Sequence, residues 1–196
     1  MPTTSTRLRL LAAATALLWP WHGAQGETDP AAIEAACAAS VSAAGHDPEA
    51  DPFERDPVPL ALLDAIGSSC GDTIFWMAVP HRLAQGDVRG ALRDWTLALA
   101  RASLLRTVHP TPSTPSGYAL FGALASTLGP HVTEIIERDP SLARAATEDA
   151  IAWDLANPSI ALPPSEHPEA YAEMRAALER RLVSLDALVL ERRADR

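Results

Sequence analysis

The chain of 196 residues carries a formal net charge of −9, with 47% hydrophobic and only 21% charged residues. That balance excludes an extended disordered protein. The acidic surplus argues against DNA or RNA as the main partner, because phosphate binding needs a basic face, and two cysteines are too few for a disulfide-dense miniprotein or a four-thiolate zinc site.

The first 26 residues read as an address. Arg7 and Arg9 precede an uncharged Leu/Ala-rich stretch, Leu10 to Trp19, which Pro20 breaks. Ala24-Gln25-Gly26 then puts small residues at the −3 and −1 positions of a cleavage site. This pattern predicts a secretory signal peptide removed before Glu27, and a periplasmic or secreted product. The apolar stretch is too short for a hydrocarbon core of ~30 Å, so no membrane attachment is expected after cleavage. From Glu27 onward the chain has 14 Arg, no Lys and 25 Asp and Glu, a net charge of −11. An oxidising destination favours a disulfide between Cys37 and Cys70, which would stabilise by roughly 3–4 kcal/mol in the chain-entropy model.

Residues 27–196 hold 33 Ala and 20 Leu against 8 Val and 7 Ile, and no segment alternates apolar with polar positions. The expectation is a single all-α domain of antiparallel helical hairpins. Helices are expected at about Pro30–Ala44, at Leu60–Ser68, and from Asp72 toward Gln85, the last kinked or divided by Pro80. Val88 to Thr107 shows the clearest stripe, with Val88, Leu92, Trp95, Leu99, Ala102 and Leu105 spaced by four and three. After the break at His109–Pro115, helices are expected near Gly117–Leu128, Pro130–Arg138 and Pro140–Leu155. A last helix, Pro168 to Arg192, lines up Tyr171, Met174, Leu178, Leu182, Leu185 and Leu188. Trp95 is expected in the core, with Trp76 and Trp153 undetermined.

The run from Gly86-Asp87 through Ala91, Trp95 and Ala98 resembles the second-helix half of a tetratricopeptide repeat. In such a repeat, small residues let two helices approach and an aromatic ring fills the space between them. The preceding helix departs from the pattern at Val79 and Pro80, and the resemblance spans one 34-residue unit. It implies binding of a peptide or protein on a concave face.

Three motifs bear on chemistry. Gly67-Ser68-Ser69-Cys70-Gly71 matches the nucleophile elbow G-x-S-x-G, and Asp154 and His167 follow Ser69 in the chain order of a triad. The elbow needs a strand before it, however, and Leu60–Ile66 reads as helix. His131 and Glu134, with Glu137 three further on, could offer zinc ligands from one helix face, though four ligands do not assemble in sequence. The acids between Glu27 and Asp56 form either a solvated loop or a surface that steers a cationic partner. Arg180, Arg181, Arg192 and Arg193 are read as favouring the negative end of the last helix.

No cofactor or metal is assigned, and no residue is given a catalytic role. The expected function is non-enzymatic binding of a protein or peptide, of immunity or inhibitor type. The alternative is a small exported enzyme, using Ser69 as a hydrolase nucleophile or a metal at His131.

Overall fold

A computed structural model describes Ala39 and residues 74–109, 115–159 and 162–194, with 115–121 described by their backbone alone. The predicted signal peptide, Ser69, the pair Cys37 and Cys70, and the first two predicted helices apart from Ala39 lie outside the described residues. Every element among those described is a helix: α1 (Ile74–Ala84), α2 (Val88–Val108), α3 (Pro115–Arg138), α4 (Pro140–Ala156) and α5 (Pro168–Ala194). No described helix is long and apolar enough to cross a membrane.

The helix starts follow from local chemistry. Asp87 caps α2, its Oδ1 accepting the Gly90 amide at 2.9 Å, and Asp139 caps α4 by accepting the Leu142 amide at 3.0 Å. These carboxylates satisfy amides that have no partner within the helix. Pro140 and Pro168 occupy first-turn positions, where a missing N–H costs nothing. Gly86, at φ 77°, makes the left-handed step that turns α1 back into α2.

Two prolines act differently from the sequence expectation. α1 continues through Pro80, and the two helices expected on either side of Gly129 are one helix, α3, with Pro130 inside it. Both prolines are exposed, so their rings displace no packing. In α3 the carbonyl that Pro130 cannot satisfy belongs to exposed Ser126, where solvent can reach it. The Ser126 and Thr127 hydroxyls donate to the Ala123 carbonyl at 2.9 and 2.8 Å just before the proline. Such back-bonding bends a helix slightly and accommodates the ring.

α2 is the central element, packed against α1, α4 and α5, while α4 also touches α3 and α5. The amphipathic stripe on α2 is therefore only part of its buried surface. From Ala91 to Arg101 every residue except Arg93 is buried, Asp94, Thr96 and Arg101 included. Trp76 and Trp95 meet edge to face at 5.2 Å in the main core, and Phe75 meets half-buried Trp153 similarly at 5.1 Å. A second cluster gathers Leu104, Leu162, Tyr171, Met174 and Leu178 where α2 and α5 meet the 157–167 connection. Arg101 bonds Tyr171 near the start of α5, whereas Leu185 joins the core containing Leu92. α2 and α5 therefore run antiparallel.

Candidate functional site

The interior polar groups divide by how they are compensated. Arg82 of α1 bonds Asp94 of α2 and also the cap residue Asp87, at 2.8 Å, so one guanidinium joins both sides of the hairpin turn. Arg93 adds a second donor to Asp94 at 2.8 Å. Burial pushes the Asp94 carboxyl up, against the lowering charges of Arg93 and Arg82.

Arg101 makes the next inward contact. Its Nη1 donates to the Tyr171 hydroxyl at 3.1 Å and its Nη2 to the Asn157 carbonyl at 2.7 Å. Nη2 also lies 2.7 Å from Asp154 Oδ1, close enough for an ion pair but outside hydrogen-bond geometry. The Tyr171 oxygen in turn accepts the Ser159 amide at 2.9 Å, fixing the connection after α4. Burial raises the Asp154 carboxyl, opposed by the charges of Arg101 and Arg175.

Arg181 is different. Its Nε donates to the Thr147 hydroxyl at 3.4 Å, and no carboxylate of the described residues pairs with it. Burial lowers its pKa, yet a guanidinium stays protonated at neutral pH. Its side chain lines a groove between α2 and α5 together with Thr96, Leu99, Ala100, Ser103, Met174 and Leu178. The groove is shallow, with a cavity volume of about 20 Å³. On α2 the lining follows positions 96, 99, 100 and 103; on α5 it follows 174, 177, 178 and 181. Each set is one helix face two turns long, about 10 Å at 1.5 Å per residue. Leu99, Met174 and Leu178 give it apolar walls, and small residues at 100, 103 and 177 keep it open. The Thr96 hydroxyl is turned back onto the Leu92 carbonyl at 2.8 Å. The groove therefore presents almost wholly apolar surface, and Arg181 edges it with its Nε turned to Thr147 of α4.

The motifs singled out in the sequence do not converge here. Asp154 pairs with Arg101, and His167 stands in the turn before α5, its carbonyl accepting the Tyr171 amide. The imidazole of His109 is lowered by burial and then by the charge of His167. These residues form no Asp–His pair, and Ser69 lies outside the described residues. His131, Glu134 and Glu137 are exposed on α3, and no group of three His, Cys, Asp or Glu among the described residues is placed to hold a metal. Arg192 donates to the Glu137 carbonyl near the end of α3, so it serves the negative end of that helix and not only of its own.

Arg181 was grouped with the C-terminal arginines in the sequence, but its spacing carried a signal. Met174, Leu178, Arg181 and Leu185 are spaced by four, three and four, so a cation interrupts the apolar stripe of α5. Asp94, Ala98, Arg101 and Leu105 repeat the same spacing on α2, again with charges in apolar company.

The charge is unevenly spread along the chain. The described residues carry 14 Asp and Glu against 12 Arg, whereas residues 27–73 carry ten against one. The acidic surplus belongs to the chain before α1. No family model, no curated protein and no solved structure matches this chain.

Proposed function

We propose that this is an exported, non-enzymatic protein that binds a protein or peptide partner in the groove between α2 and α5. The observation that carries the reading is the crevice between α2 and α5, which Leu99, Met174 and Leu178 wall and which the small residues Ala100, Ser103 and Ala177 leave open. A partner seated there would cover these apolar walls.

The sequence features support the same reading from outside the described residues. The signal-peptide pattern over residues 1–26 favours the periplasm, and a Cys37–Cys70 disulfide would brace the chain before α1. The acidic stretch from Glu27 would steer a cationic partner at a distance and dock elsewhere than the groove. The α1–α2 hairpin, with Ala91 and Ala98 buried and Trp95 packed on Trp76, has the small-and-aromatic interior on which the tetratricopeptide resemblance rests. An immunity or inhibitor protein would fit the compartment that the signal-peptide pattern favours and the size of the chain.

The test is affinity capture with the purified chain and a groove-filled variant, Ser103→Leu with Ala177→Leu. Both positions are half-buried, so the added methyl groups enter the groove rather than the core. The wild-type chain retains a partner from the exported fraction, and the variant retains at most a tenth as much. Equal retention by the two contradicts the groove as the site.

A further inference from the structure

α5 is apolar on two sides. Tyr171, Met174, Leu178 and Leu185 face the other helices and are buried. On the opposite side stand Ala176, Arg180, Val183, Ala187, Leu190 and Ala194, spaced alternately by four and three. All but half-buried Ala176 are exposed, Val183 at 70% and Leu190 at 64%. Two of the three large apolar side chains exposed among the described residues thus share one line. This alternation is the spacing that keeps a seam between two helices in contact over several turns. The line is on the far side of α5 from Met174, Leu178 and Arg181, so covering it leaves the groove against α2 free.

The charges beside the line restrict what can cover it. One flank carries Glu179, Asp186 and Arg193, and the other carries Arg180 and Glu191. A membrane surface calls for a cationic polar face, and the chain before α1, with ten acids to one arginine over residues 27–73, calls for a basic one. Flanks of mixed sign suit neither. A second α5 laid antiparallel answers both flanks at once, because that arrangement sets each flank against its own copy. With the two-fold axis level with Asp186, Glu179 meets Arg193 of the second copy and Arg180 meets its Glu191, each pair occurring twice by symmetry. The same register sets Val183 against Ala187, Ala176 against Ala194, and Leu190 along the aliphatic stem of Arg180, with small residues facing larger ones. Asp186, which would meet its own copy, is already compensated by Arg144 of α4.

We infer that two copies of this chain associate through the outer face of α5, antiparallel, with Val183, Ala187 and Leu190 at the seam and the pairs Glu179–Arg193 and Arg180–Glu191 setting the register. The contact uses the same patch on both copies, so it closes at a dimer. From Ala176 to Ala194 the seam is about 27 Å long at 1.5 Å per residue. One helix pair of that length buries less than the interfaces of permanent dimers, so the association is reversible and set by concentration.

The experiment is sedimentation equilibrium on the purified chain, from about 10 μM to about 1 mM. The wild type passes from monomer toward dimer across that range. Val183→Asp with Leu190→Asp, both at exposed positions, stays monomeric with its far-UV circular dichroism unchanged. Glu179→Arg alone and Arg193→Glu alone each weaken the dimer by about fivefold or more, because each puts like charges together twice. The two reversals combined recover the wild-type constant. A wild type that stays monomeric throughout overturns the inference, and so does a dimer that the Val183 and Leu190 variant leaves intact. A dimer lost in that variant, but in which the two charge reversals fail to compensate one another, overturns the antiparallel register.

Discussion

Arg101 of α2 and Asp154 of α4 stand 2.7 Å apart with both side chains shut away from water. The pair joins the central helix to its neighbour at the point where Tyr171 and the Asn157 carbonyl also converge on the guanidinium. Removing one partner of such a buried pair leaves the other charge uncompensated, a loss of about 3–5 kcal/mol. Arg101→Met therefore lowers the urea midpoint by that equivalent at unchanged m-value. Arg101→Met with Asp154→Leu recovers most of the loss, because two apolar side chains of similar volume tolerate the same site. A double variant no more stable than the single one contradicts this account of the pair.

Acid should act on this site opposite to its usual effect on salt-bridged carboxylates. Burial holds the Asp154 carboxyl above the ordinary aspartate range despite Arg101 and Arg175. Between its folded and unfolded pKa the native state then binds more protons than the unfolded state, so this group's contribution to stability rises as pH falls. The stability of the wild type relative to Asp154→Asn therefore grows from neutral pH down toward the ordinary aspartate range. Denaturation midpoints of the two proteins across that range check it. A wild-type advantage that shrinks on acidification is the contrary result.

Gly90 provides a case where helix propensity and local geometry disagree. A glycine inside a helix is ordinarily improved by alanine, by about 1 kcal/mol. Here a Cβ at position 90 would overlap the Asp87 carboxylate and stand 2.8 Å from Arg82 Cδ. Gly90→Ala thus displaces the α2 cap and the Arg82 contact together and lowers stability by about 1–2 kcal/mol, the usual cost of losing a cap. Thermal denaturation that shows a stabilised Gly90→Ala protein contradicts the placement of Asp87 between the amide of Gly90 and Arg82.

Pro130 distinguishes one helix from two. If α3 is continuous, Pro130→Ala restores a helical N–H and removes the ring's clash with the preceding turn. The gain is about 1–3 kcal/mol in denaturant or thermal unfolding. If Pro130 instead opened a separate helix, as its sequence context suggests, its fixed φ would be favourable and alanine would be neutral or destabilising.

These residues also show why the sequence discloses some of the molecule and not the rest. The starts of α2, α4 and α5 were legible because Asp87, Pro140 and Pro168 act within a few residues of themselves, and Trp95 lies on a stripe with Leu92 and Leu99 that only a core explains. The continuity of α3 was not legible, since a proline's effect depends on whether the freed carbonyl reaches solvent. The burial of Asp94 and Arg101 was hidden for the same kind of reason. Each is polar alone and becomes a core residue only once Arg82 and Asp154 arrive from other helices. The groove was least accessible of all, because its two faces are seventy or more residues apart and meet only through the antiparallel packing of α2 and α5.

The central claim, that the partner seats between α2 and α5, is tested most directly by site-specific photo-crosslinking. One chain carries a photoreactive residue at Ser103, inside the groove, and another carries it at Val183, which is exposed elsewhere on α5. A covalent adduct with the protein or peptide partner forms from position 103 and is absent from position 183. Partner adducts from position 183 with none from position 103 would contradict the claim.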